Sequence, residues 1–176
     1  DQARIPLDST ELNRVLGGGI VPGSVTLLVG EPGVGKSTLL LQVAQDIASR
    51  TQTVLYVSGE ESPHQIKLRS QRLGFEGQGI FLLSETNIDH ILHTLEETPP
   101  SLAIVDSIQT LYTDDAPSGP GSVVQVRESA LRLMRWAKLR NVPVIIAGHM
   151  TKDGSLAGPR VLEHMVDVVM YLEGED

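Results

Sequence analysis

The sequence predicts an α/β fold with a largely parallel central sheet and helices on both faces, and three observations carry that expectation. Six apolar runs bounded by turn residues recur along the chain, at 25–29, 54–57, 80–83, 102–105, 142–147 and 166–172. Stretches with helical spacing lie between most of them, at 37–50, 63–73, 87–97 and 123–140, so strand and helix alternate almost throughout. Runs such as Leu-Ala-Ile-Val at 102–105 show no polar alternation, which is the pattern of strands covered on both sides.

Composition agrees with one packed unit. The 176 residues fall within the ~100–200 usual for one domain, and 40% apolar content suffices for a buried core. A single domain over 1–176 is expected, with no internal repeat and no linker. The absence of cysteine excludes a disulfide framework, a thiol nucleophile and any cysteine-bearing zinc or iron–sulfur site in these residues, and is compatible with a cytoplasmic location. No run approaches the ~18 apolar residues of a membrane span, and Asp1-Gln2-Ala3-Arg4 lacks the order of a signal peptide. The net charge of −8 argues against a protein coated in basic residues for nucleic acid.

The elements can be taken in chain order. A glycine-dense leader at 5–23 approaches the first strand, after which residues 30–37 read Gly-Glu-Pro-Gly-Val-Gly-Lys-Ser, a full match to G-x-x-x-x-G-K-[ST] between a strand and a helix. Glycines 30, 33 and 35 would let the backbone curl so that successive N–H groups face phosphate oxygens, and the helix N-terminus adds its positive end. The cradle then comprises Gly30, Glu31, Pro32, Gly33, Val34, Gly35, Lys36, Ser37 and Thr38. Lys36 would reach the β- and γ-phosphates, Ser37 would put its hydroxyl on Mg2+, and Thr38 would lie toward the α-phosphate. A nucleoside triphosphate site is expected.

The second strand leads through Ser58-Gly59 to Glu60 and Glu61. Adjacent acids cannot point the same way from an extended backbone, so the water-positioning role falls to Glu60 and a supporting one to Glu61. Glu61 also precedes Ser62-Pro63, a helix start, and could serve that instead. The strand at 102–105 delivers Asp106, either as a carboxylate for Mg2+ or as a cap for the segment after the strand. The strand at 142–147 delivers His149, either a sensor of the γ-phosphate and the attacking water or a structural histidine. His64, His90, His93 and His164 sit in helical segments at no metal-ligand spacing.

Two segments rich in Gly, Pro and small polar residues, 113–122 and 150–160, follow strands and belong at the C-terminal edge of the sheet, where such folds bind ligands. They are functional loops or plain connectors. Arg127, Arg132, Arg135 and Lys138 run along the helix at 123–140 and read as a solvated face.

Several blocks together carry a resemblance: LNRVLGGGIVPGSV, LLVGEPGVGKSTLLLQ, VLYVSGEES, LAIVDSIQTLY, GSVVQVRE and GHMTKDGSLAGPRVLEHMVDVVMYLEG. From residue 7 to 173 the chain resembles the ATPase core of the bacterial RadA (Sms) family, whose members are RecA-like DNA repair proteins. The resemblance implies a RecA-like P-loop core that binds ATP and Mg2+ and assembles as a homo-hexameric ring. It also implies ATP-driven movement along single-stranded or branched DNA during recombination, branch migration and repair, alongside a RecA-type recombinase. By position it implies catalytic roles for Glu60, Lys36 and His149, metal binding by Ser37 and Asp106, and channel loops at 113–122 and 150–160. Lys152 and Arg160 are then the cations expected on DNA phosphates, with Gly154 and Gly158 giving backbone freedom. The family's four-cysteine zinc finger, Lys-Asn-Arg-Phe-Gly motif and protease-like domain have no counterpart in the sequence, so the chain is expected to be a trimmed core. A second resemblance, to the KaiC clock proteins, rests on the glycine leader and the Glu-Glu pair and implies an ATP-gated assembly module instead.

Overall fold

The computed structural model describes residues 13, 18–31, 33, 35–49, 52–150 and 158–173. Each apolar run forms a strand: β1 (Val25–Gly30), β2 (Val54–Ser58), β3 (Ile80–Ser84), β4 (Leu102–Asp106), β5 (Val144–His149) and β6 (Val168–Leu172). Each helical stretch forms a helix: α1 (Lys36–Ala48), α2 (Pro63–Arg72), α3 (Ile88–Glu97) and α4 (Val123–Arg140). Short 3₁₀ turns lie at Ile108–Thr110 and Pro159–Val161. The strands form one sheet in the order β3-β2-β4-β5-β1-β6, and every pairing is parallel.

The alternation of side chains along buried strands explains the two layers. Val25, Leu27, Val29, Val57, Val105, Val144 and Ile146 pack with α3 and α4 through Ile91, Leu95, Leu133 and Trp136. Their neighbours Leu28, Val54, Tyr56, Ile104 and Ile145 pack on the opposite face with Leu40, Leu41 and Ile47 of α1 and Ile66 of α2. Burying a Leu or Ile side chain stabilises by about 1.5–3 kcal/mol, so neither face tolerates polar substitution. Helix starts follow local chemistry. Ser62 and Gln65 form a reciprocal capping box with Pro63 in the first turn of α2, while Asn87 and Ser122 cap α3 and α4.

Strand ends differ from the sequence expectation in a consistent direction. Four strands run one residue further, to Gly30, Ser58, Ser84 and Asp106, and β5 runs two further, to His149, because main-chain pairing does not depend on the side chain being apolar. β5 also starts later than expected, at Val144. Val142 donates its N–H to Ala137 O at the end of α4, and Pro143 has no N–H to give. β6 starts at Val168 because Asp167 turns its carboxylate onto Val25 N–H (2.7 Å) and Lys138 (2.9 Å). Register sets Ser58 beside Asp106 and Gly30 beside His149, so the polar residues of four strands arrive at one edge.

Candidate nucleotide site

The phosphate loop leaves β1 and enters α1 through two left-handed glycines, Gly33 (φ 83°) and Gly35 (φ 97°). A Cβ at either would meet nothing within 4 Å, so glycine is needed there for the backbone angle and not for space. Gly30 does not share this geometry; it is the last residue of β1, which corrects the expectation that all three glycines curl the loop. The first α-helical bond runs from Leu39 N–H to Gly35 O, leaving the amides of Lys36, Ser37 and Thr38 without intrahelical acceptors. Pro32 and Val34 lie outside the described residues.

Glu31, Gly33, Lys36, Ser37, Thr38, Glu60, Asp106 and His149 line one cavity of about 350 Å3, together with Ser58, Glu61 and Arg69. Lys36 is only 6% exposed and folds back to β5, donating to Gly148 O (3.3 Å) and meeting His149 Nδ1 at 2.9 Å. Burial pulls the Lys36 ammonium below its ordinary pKa, while Asp106 and then Glu60 oppose that shift. Burial also holds His149 below the imidazole range, and the Lys36 charge adds to it. The ring is therefore neutral near pH 7, with Nδ1 accepting from Lys36 and Nε2 facing Glu60 Oε1 at 3.8 Å.

Asp106 is pushed up by burial, against the downward pull of the Lys36 charge. Tyr56, buried on the same face of the sheet, is itself pushed up by burial, and the Asp106 charge adds to it. Asp106 and Ser37 face the same cavity and offer hard oxygen donors. Among the described residues no cluster of three His, Asp or Glu could cage a metal by itself. One carboxylate and one hydroxyl beside a phosphate cradle suit Mg2+, which binds through few protein ligands and keeps substrate oxygens and water.

The two adjacent glutamates have separate fates. Glu61 is held in a bidentate pair by Arg69 of α2, at 2.8 and 2.6 Å, and its N–H is bonded to Ser58 Oγ. Glu60 is the more exposed of the two and faces His149 across the cavity. Gly59 permits this approach: a Cβ there would lie 2.0 Å from Thr110 Oγ1, and Gly59 N–H bonds to Asp106 O. Arg69, Tyr56 and Gln109 escape sequence reasoning, because a basic residue on a helix, an aromatic in a strand and a glutamine in a turn match no motif.

The remaining expectations divide. Segment 113–122 folds back onto α3 and α4, where Gln125 and Arg132 bind it. Lys152 and Gly154 lie outside the described residues, and Arg160 is exposed in the second 3₁₀ turn. Of the helix cations, Arg127 and Arg135 are exposed as a solvated face requires, whereas Arg132 and Lys138 are paired with acids. No described helix is long and apolar enough to cross a membrane.

Residues 5–155 match the family model described as AAA domain. The chain is 53% identical over 175 residues to DNA repair protein RadA of Bacillus subtilis, covering 99% of this chain and 38% of that protein. It is 51% identical over 174 residues to DNA repair protein RadA of Listeria monocytogenes, with the same coverage. Against DNA repair protein RadA of Streptococcus pyogenes serotype M6 the identity is 55% over 172 residues, covering 98% of this chain. The chain thus spans 38% of the length of each of these relatives.

Proposed function

The chain belongs to the AAA domain family and is homologous to the bacterial RadA proteins, and from that premise we propose that its cavity binds ATP with Mg2+ and hydrolyses the γ-phosphate. The observation that carries this reading is the meeting of Lys36, Glu60, Asp106 and His149, each from a different element, on the phosphate loop's own cavity.

Division of labour follows from the geometry. The free amides of 36–38 and the Lys36 ammonium would take the β- and γ-phosphates; Lys36 has to exchange its bonds to Gly148 and His149 for phosphate oxygens. Glu60, which has no guanidinium partner among the described residues, would orient the attacking water and accept its proton. His149, neutral and adjacent to both, would bond the γ-phosphate or that water. Ser37 and Asp106 would hold Mg2+, which when bound offsets charge on the phosphate oxygens. The cradle residues Gly30, Glu31, Pro32, Gly33, Val34, Gly35 and Thr38 complete the proposed ATP site.

Beyond hydrolysis, we propose that the longer protein uses this core as a DNA-dependent ATPase or helicase in recombination, branch migration and repair. It would work in the cytoplasm as a homo-hexamer, beside a RecA-type recombinase. Homology to proteins named for DNA repair supports the DNA part, and Lys152 and Arg160 are the cations proposed to meet single-stranded or branched DNA. Acidic net charge does not oppose this, since a few cations per subunit, repeated around a ring, suffice to hold phosphates.

The test is ATP turnover measured with and without single-stranded DNA, for wild type and Lys36→Ala. Turnover raised by DNA and lost with Lys36 supports the motor. Turnover or ring formation on ATP indifferent to DNA would favour an ATP-gated assembly module instead.

A further inference from the structure

β4 and β5 pair only as far as Asp106 and Ala147, after which the chain leaves the sheet for the 3₁₀ turn Ile108–Thr110. β5 nevertheless continues for two residues, paired on its other side through Gly30. In a parallel ladder the N–H and C=O of one residue point to the same side, so the His149 main chain faces the place that β4 has vacated. Left alone, both groups would be unpaired beside the core.

Gln109 meets both. Its Oε1 accepts the His149 N–H at 3.2 Å, and its Nε2 donates to His149 O at 3.0 Å. A primary amide carries the same donor and acceptor as a peptide group, so this side chain substitutes for the missing strand residue. Gln109 is 5% exposed, and water competes poorly for either bond. On the opposite flank Met150 donates its N–H to Gly30 O at 3.4 Å. The main chain at 148–150 is therefore fixed from two sides at the point where the His149 ring meets Lys36 and Gly148 O seats the Lys36 ammonium.

We propose that Gln109 is a positioning residue for hydrolysis: its side-chain amide extends β4 by one surrogate peptide group and thereby sets His149 between Lys36 and Glu60. The kinetic consequence rests on the ATPase reading above; the clamp itself does not. Gln109 is not among the residues lining the cavity and acts through His149.

Two variants and one double variant test it. Gln109→Met keeps the volume and removes both bonds to the His149 main chain, whereas Gln109→Glu keeps the acceptor and removes the donor. For Gln109→Met the expected result is a kcat lower by about tenfold or more with KM for ATP within about twofold, because the phosphate cradle is untouched while the reacting groups are displaced. Gln109→Glu is expected to fall between Met and wild type. Adding Gln109→Met to His149→Ala should cost less than about twofold further, since the ring that the clamp positions is already gone while the main-chain bonds act only through it. A merely structural glutamine would give additive losses, and additivity overturns the proposal. Amide hydrogen exchange and the ring resonances of His149, followed by NMR, read the clamp without turnover. Faster exchange at His149 and shifted ring signals in Gln109→Met are expected, and unchanged values overturn the proposal even if kcat falls. Should wild type fail to hydrolyse ATP, the ATPase reading fails alone, and the NMR result still decides the clamp.

Discussion

Two polar, turn-rich regions of this molecule put their charges to opposite uses. Around the phosphate loop, Lys36, Glu60, Asp106 and His149 are gathered on a cavity, and burial moves three of them away from their ordinary pKa values. Around 113–122 the polar groups answer one another. Gln125, 1% exposed, accepts the Thr113 N–H at 2.9 Å, and its Nε2 is shared among the carbonyls of Thr113, Ala116, Pro117 and Ser118 at 3.0–3.3 Å. Arg132 bonds Asp89, Asp115 and Glu128 at once. Groups satisfied inside a contact build the fold; charged groups held facing a cavity with displaced pKa values are equipped for chemistry. The segment 113–122, although its composition resembles that of a ligand loop, is in its first half a piece of architecture.

The sharpest separation should come from Lys36→Ala. Phosphate release is expected to fall by about 10³-fold, while the melting temperature holds or rises slightly because an ammonium is no longer buried. Next, Glu60→Gln should retain ATP binding and lose about 10²-fold or more of turnover. Glu61→Gln, whose carboxylate is committed to Arg69, should lose less than about tenfold in the same assay. The other region should behave in reverse. Gln125→Leu leaves the Thr113 amide and several carbonyls without partners, and urea unfolding should show a loss of about 1–3 kcal/mol with kcat per folded molecule unchanged. If folded Gln125→Leu were instead catalytically dead, the contrast between the regions would break. The smallest effect is expected for Arg127→Ala on the solvated face of α4, within about 0.5 kcal/mol in the same unfolding measurement.

Much of this was legible in the sequence, for identifiable reasons. A strand buried on both faces has to be apolar throughout, so β1, β2, β4 and β5 could be read from their apolar runs, and the partly buried edge strands β3 and β6 carry runs of the same kind. The phosphate loop could be read because positive φ at 33 and 35 demands glycine and the lysine and hydroxyl have fixed spacing. The alternation of an extended chain separates Glu60 from Glu61, and the two side chains do meet different partners, His149 for Glu60 and Arg69 for Glu61. What sequence could not supply were contacts between residues remote along the chain. Gln109 reaches His149 across 40 residues, and Arg132 reaches Asp89 across 43. Gly59 reads as an ordinary turn glycine in sequence, and only the fold brings Thr110 against it. Strand ends were misjudged because pairing continues into Ser58, Asp106 and His149, whose polar side chains hide their extended backbone.

The central claim is that the cavity lined by Lys36, Glu60, Asp106 and His149 is where ATP binds and reacts. Titration of a slowly hydrolysed ATP analogue with Mg2+ against wild type, Lys36→Ala and Gln125→Leu tests it most directly. One saturable site is expected, weakened about tenfold or more by Lys36→Ala and unchanged within about twofold in folded Gln125→Leu. Binding that ignores Lys36, or that follows Gln125 instead, would contradict it.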